Sequence, residues 1–111
     1  MPEKRPMHED FTDMNLQTTA FLCKCLADEN RLRILFCVSK EKKSVSAIVE
    51  ELQLSQPLIS HHLKELRRSL LVTVERSGPF VYYELSDDRI LSILENLTEM
   101  GEDLLKTRIS F

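Results

Sequence analysis

Residues 55–71, SQPLISHHLKELRRSLL, put cations and hydrogen-bonding groups on one side of a helix. At about 100° per residue, Ile59, Leu63, Leu66 and Leu70 share an apolar stripe, and His61, Lys64 and Arg68 fall opposite it. Lys64 and Arg68 can neutralise phosphate oxygens. Gln56, Ser60 and His61 carry the donors and acceptors that suit base edges in a major groove. Ser55 is a helix-capping residue and Pro57 sits just inside the helix start. The backbone N–H groups at that end offer a further seat for a phosphate. Such a helix buries one face and turns the other toward a polyanion; the plain alternative is a solvated surface with ordinary charges.

The elements around this helix decide between the two. Directly after it, LVTVERSGPFVYYEL (71–85) alternates as a strand, turns at Ser77-Gly78-Pro79 and alternates again. The spacing predicts a hairpin over about Val72 to Leu85, with Tyr82 and Tyr83 on opposite faces and Arg76 as its main cation. Upstream, Ser44 or Ser46 caps a short helix to about Leu52, with Val45, Ile48, Val49 and Leu52 apolar. Gln53-Leu54 is a tight turn into Ser55. Before that, Asp28 caps a helix over about 29–39 with Leu32, Leu35 and Phe36 inward, and residues 41–43 read as a loop. Two helices joined by a short turn and followed at once by a ribbon make a mainly α fold with a small β-hairpin, a winged helix-turn-helix. Double-stranded DNA is the leading partner.

Both ends of the chain carry more apolar surface than one such unit can cover. Residues 14–27 read as a helix with two greasy faces. Leu16, Ala20, Cys23, Leu26 and Ala27 form one, and Met14, Phe21 and Cys25 the other. Asp87 caps a final helix over about 88–107, whose Ile90, Ile93, Leu94, Leu97, Met100, Leu104 and Leu105 make a wide stripe. The economical cover is a second copy of the chain. A homodimer packed through the first and last helices is expected, with Met14, Phe21, Cys25, Ile90, Ile93, Leu94, Leu97, Met100 and Leu104 at the contact. Residues 1–12 read as a flexible arm, 13–107 as the dimeric DNA-binding domain, and 108–111 as a tail.

With 111 residues the chain has room for one core, and 42% hydrophobic with 30% charged residues is an ordinary globular balance. No apolar run approaches the ~18 residues of a membrane span, so no membrane partner and a cytoplasmic location are expected. The formal net charge is −3, but it is segregated. Residues 31–76 hold nine Lys/Arg against five Glu, and the remainder six against thirteen Asp/Glu. That division suits a small electropositive face set against acidic flanks. Three cysteines, Cys23, Cys25 and Cys37, are too few for a disulfide framework and read as thiols that are packed, metal-binding or redox-active. No phosphate-binding loop, His-Glu-x-x-His or paired acid/base group is present, so no enzyme and no cofactor are expected.

LADENRLRIL (26–35) and SVSAIVEELQLSQPLISHHLKELRRSLLVTVERSGPFVYYELSD (44–87) closely resemble the ArsR/SmtB family of bacterial winged-helix repressors. The resemblance implies a homodimer that sits on a palindromic operator and blocks transcription, in many members until a metal ion or thiol oxidation releases the DNA. Carried over by position, it puts Ser55, Gln56, Pro57, Ser60, His61, Lys64 and the wing's Arg76 at the DNA, with Arg68 added by the helical wheel. His62 matches the family's usual histidine and is assigned to orienting the helix. Two positions depart from the pattern. Leu70 stands where the family usually has a left-handed glycine, and Pro79 stands where the wing tip often carries arginine.

The resemblance also places the family's metal-binding residues, and here they are changed. A Cys-x-Cys falls at Ser44 and Ser46, whose hydroxyls are poor soft-metal ligands. The last-helix site falls at Asp87, Arg89, Met100 and Asp103, a poor zinc set. Cys23 and Cys25, two apart on a helix, point about 200° from each other and cannot share one ion within a chain. The redox branch pairs a second-helix cysteine with one on the last helix, and the latter is missing here. No metal is therefore expected, and His8, Asp10 and Asp13 read as a polar tail. The effector stays open between packed thiols with no sensing role and a thiol sensor built from Cys23, Cys25 or Cys37 that responds to oxidant, sulfur species or arsenite. A winged helix used only as a protein-binding adaptor is the competing function; it requires an apolar or acidic recognition face.

Overall fold

A computed structural model of the chain describes residues 13–109 as five helices and a two-stranded antiparallel ribbon. In order they are α1 (Asp13–Leu26), α2 (Glu29–Lys40), α3 (Val45–Leu52), α4 (Gln56–Arg68), β1 (Val72–Ser77), β2 (Phe80–Leu85) and α5 (Arg89–Ile109). Each helix start in the central unit has a capping side chain. Asp28 accepts from the Arg31 N–H at 3.0 Å, Ser44 from Ala47 at 3.2 Å and Ser55 from Leu58 at 3.3 Å. Of the two serines that could cap α3, Ser44 does so. The last helix runs past residue 107 to Ile109, so the expected tail begins inside it. The arm expected at 1–12 lies outside the described residues.

The core lies where α2, α3 and α4 meet the ribbon. Ile34, Leu35, Ile48, Ile59, Leu63, Leu66 and Val72 are its fully buried side chains. At about 25 cal/mol per Å² of apolar surface, each contributes roughly 1.5–3 kcal/mol of burial. Val72 faces Leu85 and Val74 faces Tyr83 across the ribbon, so this face packs on the helices while Glu75 and Tyr82 pair on the other. Tyr82 and Tyr83 do point to opposite faces. The stretch before α3 is more ordered than a plain loop. Lys43 donates its N–H to the Tyr83 carbonyl at 2.9 Å and accepts from the Tyr83 N–H at 2.8 Å. It thus adds a one-residue third strand to the ribbon.

Leu70, expected on the helix's apolar stripe with Ile59, Leu63 and Leu66, instead lies past the end of α4 in the left-handed conformation, with φ 65° and its side chain in solvent. The Leu71 N–H reaches the Leu66 carbonyl at 2.9 Å, and the Leu70 N–H reaches Arg67 at 3.1 Å, the paired bonds of a Schellman stop. Leu71 is then buried beside Leu66, and the chain passes into β1 without a linker. Ser86 secures the turn from the far strand, its hydroxyl donating to the Leu70 carbonyl at 2.6 Å and its N–H to Leu71 at 3.1 Å.

A side chain at positive φ costs about 1 kcal/mol, and Leu70 is 77% exposed, so it returns little through burial. Leu70→Gly should therefore raise stability by about 1 kcal/mol. Urea unfolding followed by circular dichroism checks this; a lowered midpoint would show that Leu70 makes contacts worth more than its strain.

Candidate nucleic-acid interface

α4 is held by its apolar stripe and displays everything else. Ile59, Leu63 and Leu66 are buried, while Ser55, Gln56, Pro57, Ser60, His61, Lys64 and Arg68 are all exposed. His61 and His62 separate as their wheel positions require. His62 is 6% exposed and packs between α4 and the start of α2. The Arg31 Nε donates to His62 Nδ1 at 3.4 Å, and His62 Nε2 lies 3.8 Å from Asp28 Oδ1. The same arginine's Nη1 donates to the Cys25 carbonyl at 3.3 Å. Arg31 thus links the end of α1 to α4 through its side chain and holds the cap of α2 through its backbone N–H. Burial lowers the His62 pKa, with Arg31 and His61 adding to the effect and Asp28 opposing it.

The cations are not equivalent. Arg68 reaches Glu65 on its own helix at 3.4 Å. Lys64, Arg67 and Arg76 make no ion pair among the described residues. Arg67 was not among the residues selected from the sequence, because an ideal wheel places it on the flank of the buried stripe. In the fold it lines a groove of about 450 Å³ with Val45, Ser60, Lys64, Arg68 and Tyr83. The exposed Arg76 shares a ribbon face with Val81. On the other face Lys42 pairs with Glu75 at 2.8 Å and lies 5.5 Å from the centre of the Tyr82 ring.

The surplus apolar surface is present, with one redistribution. Phe21 on α1 and Ile93, Leu97, Met100 and Leu104 on α5 are each more than half exposed. Leu94, expected at the dimer contact, is instead 3% exposed in the chain's own core, and Ile90 packs against that core. The α1 cysteines also exchange expected places. Cys25 packs against the core and Cys23, expected inside, is exposed. The core-facing side of α1 takes Cys25 from one expected face and Leu26 from the other, while Leu16, Phe21 and Cys23 stay exposed, so the wheel's division into two faces does not hold. Met14's side chain lies outside the described residues.

Cys37 is buried at the end of α2, and its thiol donates to Glu51 Oε2 at 2.7 Å. Burial first, then this bond to Glu51, push the thiol up to about 11. A thiol so held is neutral and a weak nucleophile. The residues at the resembled metal positions are engaged otherwise. Ser44 caps α3, and Asp87 accepts from the Arg89 guanidinium at 2.7 and 3.1 Å and from its N–H at 2.9 Å. The Arg89 bonds hold Asp87 down at about 2. Among the described residues no group of three His, Cys, Asp or Glu side chains could hold a metal ion, and no helix is long and apolar enough to cross a membrane.

Comparison with known proteins places this geometry in a family. The family described as "Bacterial regulatory protein, arsR family" matches residues 28–74, from the cap of α2 into β1. The nodulation protein NolR of Rhizobium meliloti is 36% identical over 103 residues, covering 92% of this chain and 78% of that protein. The transcriptional repressor SmtB of Mycobacterium tuberculosis is 35% identical over 91 residues, covering 81% and 67%. A solved structure of reduced HlyU from Vibrio cholerae, a protein named as a transcriptional activator, superposes with a TM-score of 0.71 at 33% identity, covering 79% of this chain and 93% of that one.

Two expected outcomes follow from the titrating groups. With its pKa near 11, Cys37 is about one part in a thousand thiolate at pH 8. Iodoacetamide followed by mass spectrometry should modify the exposed Cys23 long before Cys37, and Glu51→Gln should speed Cys37 by removing the group that receives its proton. Equal rates for Cys23 and Cys37 in the folded chain would show an accessible, ionised Cys37. His62 is depressed below its usual 6.5, so on acidification the unfolded chain takes up a proton before the folded one does. Stability is therefore full above pH 6.5 and falls below it, and urea midpoints at pH 7.5 and 5.5 should show a smaller drop in His62→Gln.

Proposed function

The chain belongs to the ArsR/SmtB family of winged helix-turn-helix transcriptional regulators, and from that premise we propose that it is a repressor binding a palindromic operator as a homodimer. The observation that carries the reading is the split face of α4. Gln56, Ser60, His61 and Lys64 are displayed together while the opposite stripe is buried. A helix in that condition enters a major groove, where Gln56, Ser60 and His61 meet base edges and Lys64, Arg68 and the wing's Arg76 meet phosphates. The N-terminal end of α4, with Ser55 and Pro57, approaches the sugar–phosphate edge.

Dimerisation is supported by Phe21 on α1 and by Ile93, Leu97, Met100 and Leu104 along α5, an apolar strip left exposed among the described residues. A two-fold axis through those helices repeats α4 on the other side, and two copies reading successive major grooves need half-sites about 34 Å apart. The protein acts in the cytoplasm, and its effector does not bind at the resembled metal positions, where Ser44 caps α3, Ser46 is an exposed hydroxyl and Asp87 pairs with Arg89. The neutral Cys37 speaks against that thiol as a sensor, which leaves Cys23 and Cys25 as the candidates for thiol chemistry.

Fluorescence anisotropy of the reduced protein, on a duplex from its own upstream region against a scrambled one, tests the reading. Selective binding that weakens steeply with salt is expected. Lys64→Glu with Arg68→Glu should abolish binding while light scattering still reports a dimer, and Leu97→Asp with Leu104→Asp should give a monomer with little operator affinity. Operator binding that survives the first pair of changes would overturn the docking; an unaltered dimer after the second would overturn the interface.

A further inference from the structure

The groove between α3, α4 and β2 has a role not covered by base reading. Its lining contains three cations, Lys64, Arg67 and Arg68, and no carboxylate. Lys64 and Arg67 are three residues apart, so like charges lie side by side on one flank of the helix. Neither makes an ion pair among the described residues, and only Arg68 is engaged, through an exposed contact to Glu65 that is weak in water. Adjacent unpaired cations in a concave surface repel each other unless an anion sits between them. Val45 and Tyr83 form apolar and aromatic walls beside these exposed charges, so the groove gathers their field on one side.

We propose that this groove seats a backbone phosphate of the bound duplex, with Arg67 as its principal cation. The inference rests on the DNA-binding reading and adds a residue that reading did not include. The position favours a strand backbone over a base edge. With the exposed N-terminal half of α4 in the major groove and the ribbon alongside, a strand bordering that groove crosses the seam between the second half of α4 and β2. Arg67 stands at that seam, and its planar guanidinium can give two parallel hydrogen bonds to one phosphate. Lys64 adds charge from one turn earlier, and Arg68 can turn from Glu65 to join them. A contact of this kind fixes register and affinity without reading sequence.

The experiment is the salt dependence of operator and scrambled-duplex binding for Arg67→Gln, with Arg67→Lys and Arg33→Gln beside it. Arg33 is exposed on α2, pairs with Glu29 and does not line the groove. Arg67→Gln removes one contact per protomer and two per bound dimer, so it should weaken both duplexes by the same factor, roughly sixty-fold at about 0.1 M salt, and reduce the slope of log K against log salt by about 1.8. Arg67→Lys should keep the slope and lose part of the affinity; Arg33→Gln should change neither. Because Arg67 is exposed, the thermal melt of each variant should match the parent and so show that the fold is intact. A parental slope in Arg67→Gln, with normal binding by the parent chain, overturns this site alone. A parent chain that binds neither duplex overturns the DNA-binding reading and this occupant with it. Weakening confined to the operator would make Arg67 a base-reading residue and also overturn the proposal.

Discussion

Lys43 ties together the three parts on which DNA reading depends. Its backbone exchanges two hydrogen bonds with Tyr83 of β2, and its ammonium donates to the Cys37 carbonyl at the end of α2 and to Glu51 of α3. A lysine head taken from water is costly unless it is paired and hydrogen-bonded. This one is only 13% exposed and is met by a carbonyl and a carboxylate, so it stays charged, and Glu51 raises its pKa further. The three partners must therefore come together in one arrangement. That arrangement sets the wing at a definite angle to α3, and with α4 packed on both it leaves the cationic groove between them. The character of Cys37 is a consequence of the same cluster. One oxygen of Glu51, Oε2, accepts from both the lysine and the thiol, and burial together with that bond keeps the proton on the sulfur.

At the opposite end of α4, the fold accepts strain in order to avoid a linker. Leu66 and Leu71 must both be buried, and β1 must begin at once beside the helix it leaves. A left-handed residue between them is the shortest route. Glycine would enter that conformation freely, whereas here Leu70 enters it with its side chain in solvent. The bonds from Ser86 to the Leu70 and Leu71 carbonyls keep the turn closed against that strain. The wing is thus secured at its entry by a helix stop and at its middle by Lys43, and only its tip, around Gly78 and Pro79, extends beyond support.

What could be read from the sequence is what local chemistry decides. The stripe of Ile59, Leu63 and Leu66, the capping side chains at 28 and 55 and the alternation through Val72 to Leu85 each depend on neighbours a few residues away. What escaped depends on tertiary packing. Residues 41–43 carry no strand pattern, and one lysine bonding to β2 is a contact across 40 residues of chain. The two faces of α1 are equally apolar, so the pattern could not tell Cys23 from Cys25. Leu94 sits in the same stripe as Leu97, and only the packing of α5 against α2 shows that the first turns serve the chain's own core while the later ones project beyond it. Arg67 was hidden for the reverse reason. A wheel grades residues by angle from the buried stripe, but a groove forms at the flank of a helix, where a second element rises beside it.

The charge distribution follows the same division between a reading unit and its supports. Glu95, Glu99 and Glu102 lie exposed on α5, which packs on α2 rather than on α4. α4 carries Lys64, Arg67 and Arg68 against the single Glu65, and Arg76 stands on the ribbon beside it. A net charge of −3 then does not oppose DNA binding, because the repulsion belongs to one side of the molecule and the attraction to another. A duplex approaching the acidic side is turned away, and one approaching α4 meets Lys64, Arg67 and Arg76, none of them engaged by a carboxylate among the described residues. The proposed dimerisation through α5 would fit this division, since pairing along that helix would leave both basic faces outward. In the proposed dimer the surplus apolar strip and the segregated charge would serve one geometry, in which two reading helices face a duplex from the same side.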